Sequence, residues 1–177
     1  FDMLGLMPGY KEVDISAVFL LFFSIFFAML VGDAGYGLIF LGCTILARQK
    51  FEDAPEVPFT LLKILSICTI VWGVATGTYF GMSDPPAALT NLKVGFLTQE
   101  SNLINLCFLL GAVQLTIAHV WNVSRMWGSL LALDQIGRIL ITWTMYFAAR
   151  TMIMGLLFPS WVFWIFGAGL VLVILFM

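Results

Sequence analysis

The sequence is short of charge. Only 10% of its residues are Asp, Glu, Lys or Arg, against 62% that are hydrophobic, and the mean hydropathy is +1.05. A soluble globular domain carries about 25% charged residues. The composition therefore excludes that class and predicts a membrane protein. No basic run is present, so nothing offers nucleic acid an electrostatic footprint. Cysteine is scarce and scattered: Cys43, Cys68 and Cys107 each lie in an apolar segment. That spacing excludes a disulfide framework or a zinc site and leaves three small buried apolar residues. One histidine, His119, is too few for a metal hydrolase. Repeats, low-complexity tracts and a second soluble domain are all lacking, so residues 1–177 read as one transmembrane domain. No basic stretch precedes a short apolar one at the start, as a signal peptide would require. The opening on Phe1 rather than Met predicts a piece of a longer polypeptide.

What is present is apolar sequence in long blocks. A helical span needs about 20 apolar residues. The first block, residues 15–47, is too long for one upright helix and is broken by Gly32, Gly35 and Gly37. Glycine weakens a helix and tolerates positive φ, so a turn there is cheap. The expectation is a span over about residues 16–33 and a shorter return over about 36–47, a glycine-broken hairpin. Further spans are expected over about 61–80, 102–122, 138–158 and 161–177. Between them lie the polar loop RQKFEDAPEVP, the loop containing Pro85-Pro86, and the connector SRMWGSLLALDQIG. The fold class is thus all-α, a polytopic bundle of about six spans.

Orientation follows from the loop cations. With the first block folded into two spans, one side holds Lys11, Arg48, Lys50, Lys63, Arg125 and Arg138, and the other only Lys93. A single span would give a weaker bias. The two-span reading puts the N-terminus in the cytoplasm and Asp33 near the outer face.

Few polar residues interrupt the spans. Asp33 lies among Phe, Leu and Val, where a carboxylate is costly unless something uses it. Arg150 follows Arg138 by twelve positions, about 18 Å along a helix, past the middle of a hydrocarbon core about 30 Å thick. Either the two pair, or Arg150 snorkels outward and Asp33 caps the returning helix. Gln114 and His119 share the fourth span; the histidine could relay protons or make a packing hydrogen bond. Thr142, Thr144 and Thr151 are expected to bond back to their own helix. Gly73, Gly77 and Gly81 form a ridge at i, i+4 and i+8 for close helix approach, within the chain or against another subunit. An intramembrane aspartyl protease needs two carboxylates at one site. The other aspartates, Asp2, Asp14, Asp53, Asp84 and Asp134, fall in expected loops or at span ends, so the second catalytic group is missing and the sequence disfavours that activity.

The stretch LMPGYKEVDISAVFLLFFSIFFAMLVGDAGYGLI resembles the start of the membrane domain of the V/A-type rotary ATPase a subunit, called subunit I in prokaryotes. That family shows Pro-x-Tyr-x-Glu-x-Asp, here the opening motif Pro8, Tyr10, Glu12 and Asp14. An aromatic span then ends in Gly-Asp-x-Gly-Tyr/His-Gly, here Gly32, Asp33, Gly35, Tyr36 and Gly37. The tyrosine form is similar to the bacterial and archaeal branch. VWGVATGTYFG, with Gly73, Gly77 and Gly81, is similar to the family's third span. GAVQLTIAH, with Gln114 and His119, is similar to its fourth. The sequence departs at Asp14-Ile15-Ser16, where Asp-Pro-Thr is frequent, and at Ala28, where glycine is usual. The resemblance implies a non-catalytic stator subunit that lies against a proteolipid c-ring and coordinates with peripheral and central stalks in a prokaryotic cell membrane. It implies no cofactor. The family's cytoplasmic arm and its late arginine-bearing span have no counterpart here, and Arg150 does not match that arginine. The runner-up is a stand-alone helical scaffold or small transporter.

Overall fold

A computed structural model describes residues 16–51, 54–82, 86, 89 and 91–177. The opening motif Pro8, Tyr10, Glu12 and Asp14 lies outside the described residues. Six α-helices are present among them and no strand: α1 (Ser16–Val31), α2 (Ala34–Lys50), α3 (Glu56–Thr76), α4 (Glu100–Arg125), α5 (Leu131–Met154) and α6 (Ser160–Phe176). A short 3-10 turn, Gly95–Thr98, precedes α4. The chain divides into two compact units, Phe1–Thr98 and Gln99–Met177.

In the first unit the chain breaks where the glycines predict. Gly32 takes φ +65°, and Asp33 begins a new helix. The two arms do not form the expected hairpin, however. Each packs on α3 and they scarcely touch one another. The reason is steric. A Cβ on Gly37 would lie 2.8 Å from Ile70 Cγ1, so the missing side chain lets α3 press on α2. Between the arms lies an apolar groove of about 300 Å³, lined by Phe27, Phe40, Phe59 and Leu62 among others.

The third helix starts and stops about five residues earlier than its hydropathy suggested. Pro55 sits at its N-cap, and Gly77, at φ +76°, ends it with its N–H on the Gly73 carbonyl. Pro58 is tolerated because the first turn's N–H groups have no helical partner. Arg48 closes the preceding turn, donating to the Ala54 carbonyl and to Glu56, both at 2.9 Å. That ion pair is too exposed to stabilise much.

In the second unit α5 packs on both α4 and α6. α5 begins at Leu131, inside what reads as a connector, and Gly155 stops it at φ +62° before Pro159 is reached. Gly137 and Gly169 meet at the α5–α6 crossing: a Cβ on either would fall 2.7 or 2.9 Å from the other's carbonyl oxygen. Gly137→Leu should therefore force the two helices apart and lower the subunit's thermal midpoint in detergent. Gly167→Leu, whose Cβ would meet open space, should not. Equal midpoints would mean that this crossing is not what holds α6.

By length and composition two helices can cross a membrane, α3 with 21 residues and α4 with 26. α1 and α6 are apolar but shorter. Large apolar side chains cover the outside: Leu30, Met152, Leu157 and Trp164 are each more than four-fifths exposed. Thr142 and Thr144 bond the carbonyls of Arg138 and Leu140, and Thr151 that of Ala148, as expected.

Candidate functional site: a glycine-rich junction around Asp33

The first unit holds one conspicuous polar junction. Asp33 sits between α1 and α2 in extended backbone, 7% exposed. Its Oδ1 accepts Gly35 N–H at 2.7 Å and Tyr36 N–H at 3.3 Å, which makes it the N-cap of α2. The same oxygen accepts Phe80 N–H at 2.9 Å, and Oδ2 accepts Gly81 N–H at 2.9 Å. Two donors come from the start of α2 and two from the strand of chain that follows α3. One carboxylate thus ties together segments 47 residues apart. Four donors on one carboxylate favour its ionised form, which answers what uses a charge placed in so apolar a run.

Backbone contacts reinforce the tie. Ala34 N–H donates to the Thr78 carbonyl at 3.0 Å, and the Thr78 hydroxyl donates to the Gly32 carbonyl. Gly73 lies directly beneath. A Cβ there would fall 2.0 Å from Ala34 N, so no other residue lets α3 come this close. A Cβ on Gly35 would strike the Phe80 ring at 2.5 Å, and that ring meets Tyr36 edge-on at 5.9 Å. Phe80 holds φ +51°, a conformation rare for a bulky residue. It is held there by the N–H groups at 80 and 81 that Asp33 captures. The stem of Lys93 packs over Gly77.

The structure thus brings together two motifs that the sequence presents separately. Gly32, Asp33, Gly35, Tyr36 and Gly37 form one side of the junction; Gly73, pressed on Ala34, and Gly81, through its N–H on Asp33, form the other, while Gly77 meets Lys93 instead. Thr78 and Phe80 complete it. Neither stands out in sequence, since their contributions are a hydroxyl on a carbonyl and a backbone N–H.

The remaining candidates lie in the second unit. Gln114 is half-buried on α4. His119 Nδ1 lies 2.8 Å from Gln135 Oε1 on α5. Gln135 in turn donates to Asp134 at 3.1 Å, and Arg138 Nε donates to both Asp134 oxygens, at 2.9 and 3.2 Å. Asp134, read as a connector residue, is in fact buried in the first turn of α5. The Asp-x-x-x-Arg spacing, one helical turn, is the signal that could have revealed it. Arg150 Nε is buried with no hydrogen-bond partner among the described residues. Of the two roles weighed for Asp33, the cap of the returning helix is made within its own unit. No cluster of three or more His, Cys, Asp or Glu among the described residues could hold a metal.

The chain is 42% identical over 134 residues to V-type ATP synthase subunit I of Borreliella burgdorferi, a match covering 71% of this chain and 22% of that protein. It is 36% identical over 165 residues to V-type ATP synthase subunit I 1 of Treponema pallidum, covering 86% of this chain and 26% of that protein. A-type ATP synthase subunit I of Archaeoglobus fulgidus is 27% identical over 95 residues. The chain spans about a quarter of the length of the first two relatives. No protein-family model matches it, and no solved structure does.

Proposed function

Because the chain belongs, over the stretch it spans, to the V-type and A-type ATP synthase subunit I family, we propose that it forms part of the membrane-embedded stator of a proton- or sodium-translocating rotary ATPase. In this reading it packs near the proteolipid c-ring and supports the ion half-channels, without a catalytic site of its own. Its partners are the ring, the peripheral and central stalks, and the lipid bilayer. Its place is a prokaryotic cell membrane, to which the bacterial and archaeal relatives point.

The observation that carries this reading is the occupancy of Asp33. An acid–base catalyst needs a carboxylate free to exchange a proton with a substrate. Four backbone N–H groups hold this one. Such a carboxylate fixes the positions of α1, α2 and α3, which is the task of a stationary scaffold beside a moving ring. In a bilayer, irregular backbone must be satisfied within the protein, and the junction does this at the α1–α2 break.

We read the six helices as six spans with the N-terminus in the cytoplasm. The exposed apolar side chains support contact with lipid. α1 has 16 residues, about 24 Å of helix, so it needs its flanking residues to complete a crossing. Purification of the full-length protein in mild detergent should bring a proteolipid ring with it. A monodisperse protein without a ring would favour the stand-alone scaffold. A cysteine at Lys93 should react with an impermeant reagent from the outer face only; labelling from the cytoplasm would overturn the topology.

A further inference from the structure

The polar chain of the second unit sets the chemical state of His119. Asp134 is 5% exposed and accepts from Arg138 and from Gln135 Nε2. With its amide nitrogen committed to that carboxylate, Gln135 presents only its oxygen to α4. That oxygen meets His119 Nδ1 at 2.8 Å. An amide oxygen accepts and never donates, so Nδ1 must carry the hydrogen. The neutral ring then keeps its basic lone pair on Nε2, which makes no hydrogen bond among the described residues. Asp134 thus fixes Gln135, and Gln135 fixes the tautomer.

We propose that His119 is a proton-carrying site, in which Nε2 takes a proton from water and returns it to water while Nδ1–H stays on Gln135. This rests on the ion-translocating reading above and adds to it the ion and a residue. The balance is simple: one N–H bond forms at Nε2 and the same bond breaks, with no tautomer exchange between. The charge balance also suits the task. Asp134 and Arg138 compensate each other, so the chain of four carries net charge only when His119 is protonated. The charged groups on the packed elements are few. α4 adds Glu100 near its start and Arg125 near its end; α5 adds Arg150, near its far end; α6 carries none. Cys107 and Tyr146 are the other titratable side chains of these helices. Asp134 is therefore the one carboxylate linked to the ring. Histidine is the side chain whose ordinary titration falls between about pH 5 and 8, and a helix–helix bond alone would be met equally well by an amide.

The test uses the whole rotary complex in sealed vesicles, reading ATP-driven proton uptake from about pH 5 to 8. His119→Gln keeps an N–H for Gln135 and should leave assembly intact. It should remove one titration step from the uptake profile and lower the maximal rate on the order of tenfold. Asp134→Asn leaves the histidine in place but removes the anion and uncovers Arg138⁺. Both changes reach the ring through Gln135, so the maximal uptake rate should fall here too while assembly is kept. Profiles that match the native complex in both variants would overturn the proposal and leave His119 a packing residue. So would transport of sodium with no proton uptake. Failure of the chain to co-purify with a ring would instead sink the reading under Proposed function, and that measurement is separate from the pH profile.

Discussion

A Gly73→Ala subunit should fail to accumulate in the membrane, while Gly42→Ala accumulates as the native chain does. Both changes add one methyl group to a helix. At Gly42 the new Cβ meets open space, and alanine is the better helix former by about 1 kcal/mol. At Gly73 it would lie 2.0 Å from Ala34 N and 2.6 Å from the Asp33 carbonyl carbon. Neither neighbour can rotate away, since both are backbone. Overpacking of this kind costs about 1–3 kcal/mol where side chains can shift. Here α3 itself must move, and its movement stretches the Ala34–Thr78 bond and the two Asp33 bonds to Phe80 and Gly81. Each buried polar group left unpaired adds about 1–3 kcal/mol. Against a total stability of about 5–15 kcal/mol, the sum is enough to unfold the first unit. The measurement is membrane-fraction abundance together with the detergent thermal midpoint. If Gly73→Ala behaves like Gly42→Ala, α3 does not rest on the α1–α2 break.

This contrast between two glycines also shows what a sequence carries and what it hides. The break at Gly32–Asp33 was legible because backbone freedom and a capping side chain are local properties. The glycine ridge expected on the third helix is not there: α3 ends at Thr76, Gly77 and Gly81 lie beyond it at positive φ, and of the three only Gly73 is a close-packing glycine of the helix. Which surface that glycine meets is not local: Gly73 faces Ala34 only once α3 has been placed. The helix ends slipped for a similar reason. Hydropathy places α3 by the run of apolar residues, but Pro55 and Gly77 set its ends through backbone chemistry. The hairpin expectation assumed that consecutive arms pack together, whereas α3 takes both arms. In the second unit, Gly137 and Gly169 lie 32 positions apart in apolar surroundings, and no spacing rule links them. Asp134 reads as a connector residue because the apolar run that marks the fifth span begins only at about Arg138. Its burial depends on Arg138 and Gln135, which sit one turn and one residue away.

Asp33→Ala should be the most damaging single truncation in the first unit, and Asp33→Asn should fall between it and the native chain. Alanine leaves four N–H groups without their acceptor, those of Gly35, Tyr36, Phe80 and Gly81. Loss of the helix cap alone costs about 0.5–2 kcal/mol. The Phe80 and Gly81 donors are worse placed, since they hold Phe80 at positive φ, and without the carboxylate that turn should relax away. The expected loss is about 3 kcal/mol: a buried donor left unpaired, that of Gly35, costs about 1–3 kcal/mol, and the three part-buried donors add less each. Asparagine separates the two halves of the site. Its carbonyl oxygen can replace Oδ1 and serve Gly35, Tyr36 and Phe80. Its NH₂ must then occupy the place of Oδ2, where it faces the Gly81 N–H donor to donor. About half the loss is expected, and proteolysis should become easier around residues 77–82 before the rest of the unit opens. Limited proteolysis and thermal midpoints of the three proteins decide it. Should Asp33→Asn match the native chain while Asp33→Ala does not, the Oδ1 bonds to Gly35, Tyr36 and Phe80 are the whole of the effect, and the Gly81 bond to Oδ2 contributes nothing.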